Sequence, residues 1–177
     1  TDLVTEITGT SGSAEVIAFD VTNAEDSRRI LEALTATSPI DILVNNAGIH
    51  DDAIFPGMSA SQWHRVLAVA LDGFYNVTQP LTMPMIRNRW GRILNITSIA
   101  GLIGNRGQVN YAAAKGGLHA ATKALSLEIA NRGITVNAVA PGIIQTEMSA
   151  GVFNSQTIAA LVPMKRAGTP AEVAALV

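Results

Sequence analysis

RILNITSIAGLIGNRGQVNYAAAKGGLHAATKALSLEIAN, residues 92–131, is the stretch of the chain that best indicates how it folds. The apolar run from Arg92 to Thr97 predicts a short buried strand. From Asn110 to Asn131, apolar residues recur in steps of three and four, which predicts a long helix. The segment 101–107 between them spaces its glycines evenly and predicts a flexible loop. We therefore expect a strand, a loop and a helix packed against one sheet.

The same alternation of strand and helix extends along the rest of the chain. Residues 16–19 form an apolar run, and Thr22 with Glu25 makes a capping-box pattern for a helix that reaches about Leu34. The other predicted elements are a strand from Ile40 to Val44, a helix capped by Ser59 and Gln62, a strand from Ile134 to Val139, and a helix capped by Thr169 with Pro170 and Glu172. This order predicts an α/β fold with a mostly parallel sheet covered on both faces.

Composition narrows the classes of protein. The chain has 177 residues, 48% hydrophobic and 15% charged, which is typical of one compact domain. A net charge of -2 offers no basic field for nucleic acid or an anionic membrane. We find neither a leader pattern nor an apolar run of about 18 residues, so we expect a soluble, cytoplasmic protein. Cysteine is absent, and the histidines lack metal-ligand spacing, so we expect no metal site: His50, His64 and His119.

Polar or glycine-containing turns follow several predicted strands. In open parallel sheets, ligands bind beyond the carboxyl ends of the strands, which singles out Asp20, residues 45–48, Ser98 and the dipeptide 141–142. Each has an ordinary structural alternative: a turn before a helix cap, a strand-ending turn, a loop hydroxyl and a common loop dipeptide. Because they follow successive strands, we favour a shared site.

Tyr111 and Lys115 lie on the apolar stripe of the long helix. A tyrosine there is an ordinary core aromatic, but a lysine loses hydration and needs polar partners. Residues four apart on a helix have Cβ atoms roughly 5–6 Å apart, so the ammonium should lie near the phenol. Its positive charge should then lower the phenol pKa from its usual value of about 10, which would suit an acid catalyst.

Four spaced motifs resemble those of the short-chain dehydrogenase/reductase family. They are Asn45-Asn46-Ala47-Gly48, Ser98 thirteen residues before Tyr111, the Tyr-Ala-Ala-Ala-Lys run ending at Lys115, and VNAVAPGIIQT ending at Thr146. Within the family, the chain is most similar to bacterial 3-oxoacyl-[acyl carrier protein] reductases. The resemblance implies a Rossmann-type doubly wound parallel sheet, three-layer αβα, with residues 1–177 forming a single NAD(P)-binding domain.

The resemblance also implies roles for individual residues. Ser98 would hydrogen-bond the substrate carbonyl, Tyr111 would protonate it as hydride arrives from a nicotinamide, and Lys115 would hold the cofactor ribose and lower the tyrosine pKa. The cofactor-binding residues that it implies are Asp20, Asn45, Ala47, Gly48, Tyr111, Lys115, Pro141, Gly142 and Thr146.

The implied reaction is NADPH-dependent reduction of a 3-oxoacyl thioester, with NADH not excluded. Arg89 and Arg132 would dock an acidic acyl carrier protein near the mouth of the site, although solvated helix-end caps are an equal alternative. A homotetramer is expected by analogy. Two alternatives remain open: a reductase of another ketone, because fold and catalytic set do not fix the substrate, or a catalytically impaired member acting as a binding or structural subunit.

Some features depart from the family pattern. Ala70 stands where relatives carry an asparagine at a helix irregularity that helps to hold a proton-relay water, so we expect weakened turnover. The family's first strands and glycine-rich turn, and its last strand, are not found, so we expect a chain that is incomplete at both ends. TGTSGS, residues 8–13, resembles the phosphate turn but precedes a predicted strand, so we regard it as a false match. The resemblance implies a mobile lid over the substrate at residues 149–162, flanked by Met148 and Met164, and core packing is an equal alternative for either methionine.

Overall fold

The computed structural model describes residues 2–146, 149 and 154–177. The strands are β1 (Ile42–Asn45), β2 (Gly91–Ile96) and β3 (Ile134–Val139). The α-helices are α1 (Asp2–Gly9), α2 (Ala24–Thr37), α3 (Ala60–Leu67), α4 (Gly73–Asn88), α5 (Ala100–Ile103), α6 (Val109–Ile129), α7 (Ser155–Leu161) and α8 (Pro170–Ala174). Short 3-10 turns lie at Phe55–Gly57 and Ala130–Arg132, and a π-helical turn at Ala68–Asp72 joins α3 to α4.

The three strands form one parallel sheet in the order β1-β2-β3. The register pairs Asn45 with Asn95 and Ile96 with Val139, so the carboxyl ends of the strands lie at one edge. The chain crosses from β1 to β2 through α3 and α4, and from β2 to β3 through α5 and α6. Helical crossovers are what parallel pairing requires, which confirms the α/β interpretation of the sequence.

One apolar cluster packs helices α2, α4 and α6 on a single face of the sheet. Its buried members are Leu31, Leu81, Met85, Ile93, Ile129, Ile134 and Val136. The opposite face is more open, because the side chains of Ile42 and Val44 are 57% and 41% exposed and those of Thr135 and Asn137 are exposed too. The helical cover of the described residues therefore concentrates on one face.

Local capping signals fix two of the helix starts as predicted. Ser59 Oγ accepts the Gln62 backbone N–H at 3.2 Å, and the Gln62 side chain accepts the Ser59 N–H at 3.0 Å. Thr169 and Glu172 make the same reciprocal pair at the start of α8. Two backbone donors at each helix start thus gain partners that the helix itself cannot supply.

The predicted cap of α2 is wrong by one residue. Asn23, not Thr22, is the N-cap, and its Oδ1 accepts the Asp26 N–H at 3.1 Å. Thr22 is drawn away because its N–H and hydroxyl both donate to Asp20 Oδ1, at 2.9 and 2.8 Å. Asp20 therefore takes both hydrogen-bond donors of Thr22, and the next residue caps the helix.

The predicted strand at residues 16–19 is wrong, because these residues adopt no regular structure and Val16 is 68% exposed. A strand needs a neighbour for its backbone groups, and none of the described strands pairs with this segment. The false-match segment 8–13 contains the end of α1, so it is not a strand-to-helix turn. Part of the predicted loop 101–107 is helical, since α5 reaches Ile103.

The predicted lid is partly covered by the structure. Met148 and residues 150–153 lie outside the described residues, whereas α7 forms the second half of the predicted segment. Met164 follows α7 and is 72% exposed. Among the described residues, no helix is long and apolar enough to cross a membrane, and no cluster of His, Cys, Asp and Glu could hold a metal ion.

Candidate active site

The three predicted catalytic side chains meet beyond the carboxyl end of β2. Ser98 follows β2 by two residues, and its Oγ accepts a hydrogen bond from Ala100 N at 3.1 Å. Tyr111 and Lys115 lie one turn apart near the start of α6. The Ser98 hydroxyl lies near enough to the phenol of Tyr111 to lower its pKa. The structure therefore brings a hydroxyl, a phenol and an ammonium to one place.

A close contact between two backbones brings the Ser98 loop to α6. A Cβ built on Gly101 would lie 2.6 Å from Gly116 N and 2.7 Å from Lys115 C, closer than real Cβ atoms approach. Residue 101 must therefore be glycine for α5 to pack on α6 at the residue that carries the ammonium. Of the evenly spaced glycines, Gly101 is thus the one that this packing requires.

Lys115 is almost fully buried, with 4% of its surface exposed. Its Nζ donates to the carbonyl oxygen of Ile96 at 2.8 Å and lies 5.7 Å from the ring centroid of Tyr111. Burial lowers the pKa of Lys115 because the charged form loses hydration. The predicted polar partner of the buried lysine is thus a strand-end carbonyl.

The pKa of Tyr111 is raised from its usual value, whereas the sequence analysis expected it to be lowered. Burial raises it, because the tyrosinate would lose hydration; the nearby Ser98 hydroxyl lowers it, and the negative charge of Asp52 raises it further. The predicted lowering by Lys115 is therefore wrong for this structure. The ammonium turns towards the Ile96 carbonyl, and desolvation of the phenol decides the direction.

Gly48 borders the ammonium of Lys115. A Cβ at this position would lie 3.2 Å from Lys115 Nζ, so the backbone of the 45–48 turn approaches the lysine closely only without a side chain. A cavity of about 530 Å³ begins at Ile49, the residue after Gly48, and Ser98, Tyr111 and Lys115 do not line it. Its lining residues are Asp20, Thr22, Ile49, Ser61, His64, Arg65, Ala68 and Val69. A glycine whose backbone lies open beside an ammonium is the kind of position at which a dinucleotide can approach the chain closely.

Two predicted cofactor residues are engaged with the protein itself. Asp20 is exposed at the cavity wall, and its hydrogen bonds from Thr22 hold its pKa below the usual value. The amide nitrogen of Asn45 donates to Thr78 Oγ1 at 3.0 Å and Asn95 Oδ1 at 2.8 Å. The Asn45 side chain therefore stabilises the pairing of β1 and β2, which leaves only its backbone and amide oxygen for a cofactor.

The other predicted cofactor residues lie on the same edge of the sheet. The carbonyl of Pro141 accepts the N–H of Ile99 at 3.0 Å, which ties the segment after β3 to the Ser98 loop. Gly142 faces open space, Ala47 is exposed, and Thr146 donates its N–H to Ser149 Oγ at 3.0 Å. Of the remaining predicted contacts, the segment that carries Pro141 is thus bonded to the loop that carries Ser98.

Ala70 lies at the middle of the π-helical turn Ala68–Asp72. It is 6% exposed and packs in an apolar cluster with Val66 and Ala114, against which Tyr111 also packs. The helix predicted from Ser59 is thus interrupted at the position where the family resemblance implied an irregularity. The helix irregularity is present although the asparagine is absent, and a methyl group occupies the asparagine's place.

Sequence reasoning missed a polar group beside Tyr111. Gln108 Nε2 donates to both carboxylate oxygens of Asp52, at 3.1 and 2.9 Å, and the ring of His50 lies 3.1 Å from the same carboxylate. Asn110, fully buried, was treated only as the first residue of a helix. The available signal was its position: an asparagine near a helix start often binds backbone groups.

Arg89 and Arg132 are not brought to the site. They precede β2 and β3, at the amino ends of six-residue strands, whereas Ser98 follows the carboxyl end. A strand of this length spans about 20 Å, so the expectation that they lie at the mouth is wrong within one chain. Arg89 Nη2 donates to the carbonyl of Asn131 at 3.4 Å, which agrees with the helix-end alternative.

An α/β fold with serine, tyrosine and lysine at the carboxyl end of its central strand defines the class of nicotinamide-dependent short-chain oxidoreductases. The family described as short chain dehydrogenase matches residues 1–157, and the chain belongs to it. It therefore has the Rossmann-type three-layer αβα fold class of an NAD(P)-dependent oxidoreductase.

Several curated relatives are similar over most of the chain. A 3-oxoacyl-[acyl-carrier-protein] reductase FabG of Aggregatibacter actinomycetemcomitans is 47% identical over 164 residues, which cover 92% of this chain and 68% of that protein. A 3-oxoacyl-[acyl-carrier-protein] reductase of Synechocystis is 42% identical over 173 residues, covering 97% and 70%. Nodulation protein G of Azospirillum brasilense is 45% identical over 172 residues, covering 92% and 70%.

Proposed function

We propose that the chain catalyses the reduction of a 3-oxoacyl thioester to the 3-hydroxyacyl product with a nicotinamide cofactor. The observation that carries the proposal is the meeting of Ser98, Tyr111 and Lys115 beside Gly48. A hydroxyl and a phenol that lie close together can both reach one carbonyl oxygen. Two of the relatives reported above are named for reduction of this substrate class, which supports the thioester.

In the proposed reaction, the Ser98 hydroxyl donates a hydrogen bond to the substrate carbonyl and orients it. The Tyr111 phenol gives its proton to the carbonyl oxygen as negative charge develops there. The reduced nicotinamide supplies the hydride. A raised phenol pKa keeps Tyr111 protonated at neutral pH, which suits an acid in the reductive direction.

We propose NADP as the cofactor, held by Lys115 through a ribose hydroxyl. The close approach allowed by Gly48 would seat the dinucleotide, and the exposed Asp20 would meet its adenine at the cavity wall. Ala47, Tyr111, Pro141, Gly142, Thr146 and the backbone of Asn45 would complete the contacts. This assignment follows the family resemblance, and NAD is the alternative.

A single absorbance assay at the nicotinamide band tests the reaction. With NADPH or NADH and an acetoacetyl thioester, the purified protein is expected to oxidise the cofactor. Tyr111→Phe should lower the rate by about 10²–10⁴-fold, because it removes the proton donor and little else. Absence of turnover with both cofactors and several ketones would overturn the proposed reaction.

We also propose that the substrate is carried on an acyl carrier protein that binds Arg89 and Arg132. Because these arginines lie at the opposite ends of the strands from Ser98, the carrier would present its thioester to the site of a neighbouring copy in an oligomer. Both arginines are exposed and close to each other, which suits an acidic partner. The paired variant Arg89→Glu with Arg132→Glu should reduce the rate about tenfold with a carrier-bound thioester and spare a small soluble thioester. Equal losses on both substrates would contradict docking.

We further propose a homotetramer, by analogy with relatives in which helices matching α4 and α6 form a dimer contact. Large apolar side chains on these helices are exposed: Tyr75 by 63%, Met83 by 50% and Leu127 by 85%. Contacts between copies would bury them. Light scattering coupled to size-exclusion chromatography should return the mass of four chains, and a monomer would contradict the proposal.

One observation favours a second function, that of a catalytically impaired subunit. The methyl group of Ala70 packs in the cluster that touches Tyr111, at the place where relatives have an asparagine. A weakened proton relay would leave a protein that binds the dinucleotide without rapid turnover. This alternative would be selected if the protein binds the cofactor but shows no measurable reduction in the absorbance assay.

A further inference from the structure

Asn110 is completely buried immediately before Tyr111, with none of its surface exposed. A buried amide is costly unless its donors and acceptor find partners. Its Nδ2 donates to the carbonyl oxygens of Asp51 at 2.9 Å and Gln62 at 3.1 Å, and its Oδ1 accepts the backbone N–H of Tyr111 at 2.8 Å. Every hydrogen-bonding group of this side chain is used, and all three partners are backbone groups.

The three partners belong to different parts of the site. Asp51 lies in the segment 49–53, which directly follows Gly48; Gln62 lies in α3; Tyr111 is near the start of α6. Asn110 therefore links the segment after the glycine turn to the helix that carries the phenol. Since backbone partners do not change with side-chain substitutions at 51 or 62, the link depends on residue 110 alone.

The segment 49–53 receives further bonds that fix its position. Gln62 Nε2 donates to Asp51 Oδ1 at 2.9 Å, and the N–H of Ala53 donates to the carbonyl of Gly107 at 2.9 Å. The Asn110 bonds lie between these two anchors. The segment is thus attached to both α3 and the approach to α6, with Asn110 at the centre.

The start of α6 depends on Asn110 in a second way. The first N–H groups of a helix lack partners within the helix, and the N-cap residue usually provides one. Gln108, the N-cap here, makes no capping bond with its side chain, which donates to Asp52 instead. Asn110 supplies the missing acceptor to the N–H of Tyr111.

We infer that Asn110 is a positioning residue, which holds the backbone of Tyr111 at a fixed distance from the segment that follows Gly48. The inference rests on the proposed function, because Tyr111 acts there as the proton donor. Asn110 thereby keeps the Tyr111 phenol at a fixed position relative to a ligand bound at residues 45–48. Reacting groups displaced by about 1 Å can lose about 10²-fold in rate, so such a link matters for turnover.

Asn110→Asp is the sharpest variant for a test, because it keeps an acceptor for the Tyr111 N–H and replaces the two-bond donor with an oxygen that faces two carbonyls. Asn110→Ser is the second variant; its short hydroxyl serves Tyr111 N–H but cannot reach Asp51 and Gln62 together. Asn131→Asp makes the same chemical change at an exposed position after α6 and serves as the control.

Steady-state kinetics of the purified enzyme give the first readout. We expect Asn110→Asp and Asn110→Ser to lower kcat about 10- to 100-fold, while KM for the dinucleotide changes less than about threefold. Asn131→Asp should match the parent protein. A kcat within threefold of the parent in a folded Asn110 variant, or a loss confined to KM, would overturn the inference.

Hydrogen exchange gives a second readout that needs no turnover. In the parent protein, the Tyr111 amide should be protected, whereas that of the exposed Arg106 should exchange quickly. In the Asn110 variants, exchange should rise in segment 49–53 and stay unchanged in β2.

If the parent protein shows no reductase activity, the proposed function fails, and hydrogen exchange alone decides whether Asn110 links the two segments. Rapid exchange at Tyr111 in the parent protein, or unchanged exchange at 49–53 in both variants, would overturn it. An Asn110→Asp that does not fold leaves Asn110→Ser and the parent measurement to decide.

Discussion

Gly48→Ala separates cofactor seating from folding, because the structure shows what the added methyl group meets. The new Cβ would lie 3.2 Å from Lys115 Nζ and 3.9 Å from its Cε. The ammonium must yield by a few tenths of an ångström. Its bond to the Ile96 carbonyl is 2.8 Å long, so it can lengthen and remain within about 3.2 Å. The cost in folding free energy should therefore stay below about 1 kcal/mol.

The same methyl group should weaken dinucleotide binding much more than it weakens folding. Glycines of dinucleotide-binding turns allow the backbone to approach the ligand closely, and a Cβ takes that space. We expect the Kd for NADPH or NADH to rise about 10- to 100-fold, which corresponds to about 1.4–2.8 kcal/mol of binding free energy. Titration calorimetry measures this directly, and urea denaturation measures the folding cost.

Gly57→Ala is the matched control, because a Cβ there meets nothing within 4 Å. It should leave both the Kd and the free energy of unfolding unchanged. An unchanged Kd in Gly48→Ala would refute the placement of the dinucleotide against this turn. A large loss of stability would refute the reasoning that the ammonium can yield.

Three other perturbations test separate parts of the site. Ala70→Asn should raise turnover if the absent asparagine weakens the proton relay, at a cost of about 1–3 kcal/mol in stability because a larger polar group enters an apolar cluster; no gain in kcat would contradict the idea. Asn95→Ala removes the acceptor of Asn45 and the donor to Thr122, so urea denaturation should show a loss of about 2–4 kcal/mol, and a loss below 1 kcal/mol would show that this buried chain is dispensable. Asp52→Asn removes a charge that raises the pKa of Tyr111, so the fall of the reductive rate with rising pH should begin at a lower pH; an unmoved pH profile would exclude that electrostatic effect.

Signals that act over a few residues allowed much of the fold to be predicted. Ser59 with Gln62, and Thr169 with Glu172, satisfy helix-start donors by local bonds, and both caps are present as expected. The bounds of β3 agree with the apolar run in the sequence. The strand at residues 16–19 failed because a strand depends on a neighbour that a local pattern does not specify.

The composition of the candidate site was predictable, but its internal bonds were not. Spacing placed Tyr111 beside Lys115, yet the ammonium binds the Ile96 carbonyl, nineteen residues away. Asn45 was expected to serve a cofactor, and its amide nitrogen instead bonds Thr78 and Asn95 across the fold. Such bonds join distant parts of the chain, and burial set the direction of the Tyr111 pKa, so neither could be inferred from local sequence.

The π-turn at Ala68–Asp72 also divides one long helical segment into two parts with different packing partners. A π-turn accommodates one extra residue, which rotates everything after it by about 100° around the helix axis. Before the turn, α3 packs on α6 and contributes Gln62 to the Asn110 link; after it, α4 packs on α2 and on β2 through Leu81 and Met85. Substitutions on α3 can therefore reshape the cavity that Ser61, His64 and Arg65 line while the packing of α4 on the sheet is kept.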